Sequence, residues 1–415
     1  MIRLLRMDRP LLAVVAALML YGLLILYSAG QTDIPTAAAH VWQRQIIWLA
    51  AGCLLGGFVY RLSPRFLEWV APACYVAGLL VLLLLLAVGT GAGTAASTKS
   101  WLSLGGVRIG QPAELAKITT VLMLARYLSS LRVPPQNMRE LVIPVLIAAA
   151  PAGLVMLQPD LGSAIVFVGI LFFMLYWSGV AFPQLIMLAS PLLSLLLAFS
   201  TPVWGIWFAL LVVLVLFVWR PWVWEGLAVV GINLVTGIVA RPLWLHLHTY
   251  QQNRLVSFLN PEMDPRATGW HIIQSKIAIG SGGLLGKGFT LGSQKRLAFL
   301  PAQHTDFIFS VVGEELGFVG ILLAVVLFLL LMVTLIRIAR RCPDPFGSLV
   351  AFGVAGVFFS HIFENVGMTA NVMPITGIPL PFFSYGGSFL LTCLLSIGLC
   401  LRLAKEGREL GYREL

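Results

Sequence analysis

The chain has 415 residues, of which 59 % are hydrophobic and only 11 % charged, with a formal net charge of +10. A soluble domain carries about 25 % charged residues to cover its surface, so water cannot solvate this chain on all sides and lipid must cover much of it. The excess of Lys and Arg then reads as membrane topology and contact with anionic lipid, not as nucleic-acid binding. Five cysteines (Cys53, Cys74, Cys342, Cys393, Cys400) show no CxxC spacing and stand near no histidine cluster, which argues against a metal or disulfide framework.

Arg3, Arg6 and Arg9 precede an apolar run near 11–28. It has the length of a membrane span, so a retained first helix is expected in preference to a cleaved signal peptide. Further runs lie near 45–60, 68–89, 112–129, 140–157, 161–178, 182–199, 203–219, 224–243, 307–337, 347–368 and 386–403. Pro151, Pro159, Pro183, Pro191, Pro202 and Pro221 mark ends or kinks in the crowded middle. The expected fold is all-α, a polytopic transmembrane helix bundle of about 10–12 spans, with residues 1–415 as a single membrane domain.

Six basic clusters set the orientation. They lie before the first run, after the second, around 126–139, at Arg220, at 337–341 and from Arg402 onward. With an even number of spans all six fall on the cytoplasmic side, together with both termini. Four loops then face outward: 29–44, 90–111, 244–306 and 369–385. The third is long for a compact domain, and such loops are usually functional. It holds Arg254, Arg266, Lys276, Lys287, Lys295 and Arg296 against Glu262, Asp264 and Asp306, a surface suited to a phosphate-bearing ligand.

Within this loop Asp264 precedes Pro265, which biases it to extended backbone. By composition alone it reads as an ordinary turn aspartate; its place beside several cations on an outer-face loop favours a functional acid. The glycine-rich stretch IGSGGLLGKGFTLGSQ allows close backbone approach, but its spacing fits neither a Walker A loop nor a dinucleotide fingerprint. Glu114 and Lys117 stand three residues apart at the start of the fourth run, where they could pair. Charges inside a span are functional candidates, and a buried structural pair is the competing reading. Asp160 and Asp306 are expected to cap the helices that follow them. Glu314 and Glu315 read as polar packing within the bundle. His361 and Glu364 read as a satisfied polar contact, since a metal site needs more ligands.

These pieces resemble the shape, elongation, division and sporulation family of peptidoglycan glycosyltransferases, and within it the RodA branch. The matching segments are WLSLGGVRIGQPAELAK (101–117), QPDLGSA (158–164), RLVSFLNPEMDPRATGWHIIQSKIAIGSGGLLGKGF (254–289), LPAQHTDFIFSVVGEELGFVG (300–320) and NVGMTANVMPITGIPLPFFSYGGS (365–388). Two departures stand out. Ala113 occupies a position where the family often has serine, and an extra apolar pair near 203–243 exceeds the family's usual ten spans without changing parity.

The resemblance implies polymerisation of lipid II into glycan strands in the bacterial inner membrane, beside a class B penicillin-binding protein. It implies that Asp264 is the essential aspartate. In that reaction a sugar hydroxyl attacks an anomeric carbon bearing a lipid pyrophosphate. The alcohol needs a base, and the leaving anion needs positive charge, not an acid. Asp264 is therefore expected as general base. Arg108, Lys117, Arg254 and Lys276 are expected to bind substrate, with Glu114 holding Lys117. A divalent cation (Mg or Mn) sharing the neutralisation is a family expectation, without a visible ligand set. A transporter that flips lipid-linked precursors is the alternative from another class.

Overall fold

The structure, a computed structural model, describes residues 8–36, 38–90, 100–104, 107–247, 249–259, 268–300 and 302–411. Each of the twelve apolar runs forms a helix. These are α1 (Arg9–Ala29), α2 (Val41–Val59), α3 (Pro64–Val88), α4 (Pro112–Ser130), α5 (Val142–Leu157), α6 (Leu161–Trp177), α7 (Phe182–Leu197), α8 (Thr201–Val213) and α9 (Val223–His246) in the first part of the chain. After α10 (Thr249–Leu259), α11 (Thr268–Ser281) and α12 (Ser293–Arg296) come α13 (Ile308–Arg341), α14 (Pro345–Thr369) and α15 (Gly387–Gly411). A π-helical segment, Leu214–Trp219, continues α8. Among the described residues seven helices are long and apolar enough to cross a bilayer, and α5, α6 and α7 are shorter apolar helices. The chain is a polytopic, all-α membrane protein.

Local chemistry sets the helix starts. Proline stands in the first turn of α1, α3, α4, α7, α8 and α14, where its missing N–H has no partner to lose. The side chains of Asp8, Ser63, Asp160 and Asp344 accept hydrogen bonds from the free amides that follow them. Asp160 thus caps α6 as expected. Asp306 does not cap α13: the residue before that helix is Phe307, with no side-chain cap bond.

The main apolar core surrounds α14, the most enclosed helix, whose small and aromatic residues pack against α4, α6, α13 and α15. The first and last helices close the bundle. Tyr21 Oη donates to Gly320 O at 2.9 Å, joining α1 to α13. Gln45 of α2 donates to Ser384 O at 3.2 Å, and Gly56 meets Gly398 of α15 backbone to backbone. A second, smaller core of Met187, Leu211, Val215 and Val229 unites α7, α8 and α9. There the buried Asn233 donates to Ser190 Oγ at 2.7 Å and accepts from Ser194 Oγ at 2.6 Å.

Three features depart from the sequence reading. The 90–111 segment contains an antiparallel hairpin of β1 (Leu102–Leu104) and β2 (Val107–Gly110). The described residues of the 244–306 segment include three helices, α10, α11 and α12. Finally, α13 is broken at Gly317, whose φ of 63° and ψ of −156° are non-helical.

Candidate functional site

Gln111, just before α4, donates from Nε2 to Asp160 Oδ2 at 2.7 Å. One turn in, Glu114 and Lys117 lie on the buried face of α4, and Lys117 Nζ reaches Glu114 Oε1 at 2.8 Å. The same ammonium contacts His361 Nε2 of α14 at 2.9 Å, while His361 Nδ1 faces Pro379 O at 3.1 Å. An ammonium only donates, so Nε2 must accept and the ring proton sits on Nδ1, donating to the carbonyl. Burying the charges singly would be expensive; together, with this geometry, they hold α4 against α14.

His361 and Glu364 do not pair with each other, contrary to expectation: His361 is engaged by Lys117. Glu364 is buried with Thr376 and Lys117 within its reach. Its neighbour Asn365 donates to Asp306 O at 2.9 Å and to Ile378 O at 2.8 Å. This amide ties α14 to the turn before α13 and to the segment before α15. Ser384 Oγ adds a bond to Thr305 O at 2.6 Å, and Tyr385 N–H donates to His304 O at 2.8 Å.

This turn supports the inner end of the 244–306 segment. His271 of α11 stacks on Phe307 at 5.9 Å between ring centroids. Arg254 of α10 lies near enough to act electrostatically on both His271 and Asp306. Burial pushes the His271 ring below its usual range, and Arg254 pushes it further. Burial alone pushes His304 down. Burial raises the Asp306 carboxyl, with Thr305 and Arg254 drawing it part of the way back.

Glu314 and Glu315 form ion pairs, a stronger role than the polar packing expected of them. Glu314 Oε1 accepts from Lys287 Nζ and from Gln294 N, both at 2.8 Å. Glu315 pairs with the fully buried Lys295 at 2.5 Å, and Lys295 also donates to Ser28 O at 2.6 Å. Burial pushes the Lys295 ammonium down, and Glu315 then Glu314 pull it back up. The signal for these links was present in the sequence as two acids inside an apolar run, yet nothing there named their partners.

The expected site residues are thus distributed. Glu114 and Lys117 meet inside the bundle. Arg254 reaches the 302–307 turn from α10. Lys276 is exposed on α11 and forms no ion pair with a described residue. Arg108 stands opposite Ser103 in the hairpin register, and its side chain lies outside the described structure. Asp264 lies outside the described residues, in the connection between α10 and α11. Sequence reasoning gave no weight to His271, which stacks on that turn, or to His304, which lies in it. Among the described residues no three or more His, Cys, Asp or Glu side chains stand together as a metal site.

Residues 8–207 and 203–409 match the family model of the FtsW, RodA and SpoVE cell cycle proteins. The chain is 35 % identical to the peptidoglycan glycosyltransferase MrdB of Escherichia coli, over 98 % of this chain and 95 % of that one. It is 34 % identical to the peptidoglycan glycosyltransferase RodA of Treponema pallidum, over 95 % and 97 %. It is similar to a chain from a peptidoglycan synthase complex that coordinates polymerization and crosslinking, with a TM-score of 0.71, 29 % identity and coverage of 97 % and 98 %. The Rod shape determining protein RodA of Thermus thermophilus gives 0.62, 28 % identity, and coverage of 96 % and 97 %.

Proposed function

Because the chain belongs to the FtsW, RodA and SpoVE family, we infer that it is a peptidoglycan glycosyltransferase, polymerising lipid II into glycan strands for elongation of the cell wall, and we propose Asp264 as its general base. One observation supports this assignment above others. The 260–267 connection joins α10, carrying Arg254, to α11, carrying His271 and Lys276. In the sequence Asp264 stands between Arg254 and Lys276, an order that suits an acid working beside an anionic leaving group.

The chemistry assigns the remaining roles. Asp264 takes the proton of the acceptor hydroxyl as its oxygen bonds to the anomeric carbon. The bond from that carbon to the pyrophosphate oxygen breaks, and the electron pair leaves with the pyrophosphate. Arg254, Arg108 and Lys276 are the cations proposed to meet that charge. Lys117, held by Glu114, supports the site from the bundle interior. An α-linked donor then gives a β-linked polymer by inversion, so one carboxylate is enough; glycosidases need two because their leaving alcohol must be protonated.

In this reading the protein sits in the bacterial inner membrane with both termini in the cytoplasm and the 244–306 segment outside. A class B penicillin-binding protein is its transpeptidase partner. The test is to supply purified chain with lipid II in detergent. Long glycan strands are expected from the native chain and none from Asp264→Ala or Asp264→Asn, with both variants folded. Near-normal polymer from either variant removes the base assignment. Translocation in liposomes without any polymer would establish a flippase instead, a reading that draws on the buried charges of α4 and α14.

A further inference from the structure

Two ion clusters bracket α1. At one end Asp8 pairs with Arg337 of α13 at 2.6 Å. At the other Ser28 and Lys295 join Glu315 of α13. The 21 residues of α1 between them span about 30 Å at 1.5 Å per residue, which is the thickness of a bilayer's hydrocarbon. From Phe318 to Arg337, α13 runs alongside for a similar length. The break at Gly317 therefore falls at the hydrocarbon boundary on the side of the 244–306 segment.

The glycine-rich segment is seated on that break. Lys287 N–H and Gly288 N–H donate to the Glu314 and Glu315 carbonyls, both at 3.0 Å. In return Phe318 N–H donates to Gly283 O at 2.9 Å, and Val319 N–H to Leu284 O at 3.1 Å. The opened helix and the loop satisfy each other's backbone, as an environment poor in water demands. At the loop's tip Leu284 and Leu285 are 72 % and 80 % exposed, beside Phe318 and Val319 at 55 % and 53 %. These four side chains form one apolar patch at the boundary, with the exposed Lys276 on the helix leading to the tip.

We propose that the 282–288 tip is an interfacial anchor: Leu284 and Leu285 enter the acyl region of the adjacent leaflet and hold the 244–306 segment on the bilayer surface. Amphipathic anchors of this kind bury apolar side chains just below the headgroups. The occupant is phospholipid hydrocarbon, because the patch is continuous with the lipid-facing side of α13 through Leu322 and Leu323.

The test places a diazirine amino acid at residue 285 in the full chain, reconstituted in phosphatidylethanolamine and phosphatidylglycerol vesicles. Residue 330, on the exposed face of α13, is the lipid reference. Residue 132, in the exposed turn between α4 and α5, is the water reference. After photolysis, mass spectrometry is expected to find phospholipid adducts at 285 within about threefold of those at 330. A yield as low as at 132, or cross-linking chiefly to a second copy of the chain, overturns the proposal. Leu285 makes no enclosed contact, so its replacement leaves the fold intact, and circular dichroism checks this.

Discussion

The ion pair of α4 shows how much one buried contact carries. Lys117 has no exposed surface and depends on Glu114 and His361 for all its described polar contacts. Glu114→Gln leaves the ammonium without its counter-ion. Loss of one partner of a buried pair costs about 3–5 kcal/mol, so this variant should melt well below the native chain in detergent. The double variant Glu114→Gln, Lys117→Met should recover part of the loss, and a thermal melt of all three forms decides it. The histidines make a separate prediction. His271 and His304 are held below the usual value of 6.5, so near that pH the unfolded chain binds more protons than the folded one. Stability then falls as pH drops below about 6.5 and returns as pH rises. Melting temperature should decline between about pH 7.5 and 5.5, and His271→Gln with His304→Gln should flatten that slope.

At the scale of elements, the glycines around the break in α13 are the sensitive positions. Gly317 adopts a backbone region that only glycine occupies readily, and a methyl group there would strike the Gly286 backbone. Backbone strain alone costs about 1–3 kcal/mol, and the collision adds to it. Gly317→Ala and Gly286→Ala should both sharply reduce the yield of folded protein. Gly280→Ala, with open space around it, should be neutral, and size-exclusion profiles would separate the three. The twelve apolar helices were legible in the sequence because long runs of apolar residues report burial away from water directly. The break at Gly317 was not, since Gly-Phe-Val-Gly within an apolar run reads as ordinary helix until the segment that satisfies its opened amides is in place. The hairpin was hidden for a similar reason: a strand of three or four residues leaves too short a period to detect. At the site, Glu114 with Lys117 was visible as a helical spacing. Lys295 with Glu315, and Asn365 with the 302–307 turn, were not, because no periodicity links residues so far apart.

For the whole molecule, the two cores separate what must stay fixed from what stands apart. The α7–α9 group has its own core and is latched internally by Asn233. Asn233→Ala removes the bridge between Ser190 and Ser194, and interhelical hydrogen bonds in bilayers are worth about 0.6–2 kcal/mol each. Hydrogen exchange should accelerate in α7–α9 and remain unchanged in α14. Such a result would make the additional helix pair an appendage to the main bundle. The contacts of α1 have another consequence. Its partners Glu315, Gly320 and Arg337 lie 287, 299 and 329 residues downstream, and Gln45 of α2 waits 339 residues for Ser384. During synthesis the first two helices must therefore wait in the membrane with each other, joined by Tyr27 against Trp42, but without their other permanent neighbours until the ribosome has nearly finished. A chain released early would expose Asp8, Ser28 and Gln45 without their eventual mates, and quality-control proteases that patrol the bilayer would have a clear mark by which to know an unfinished copy.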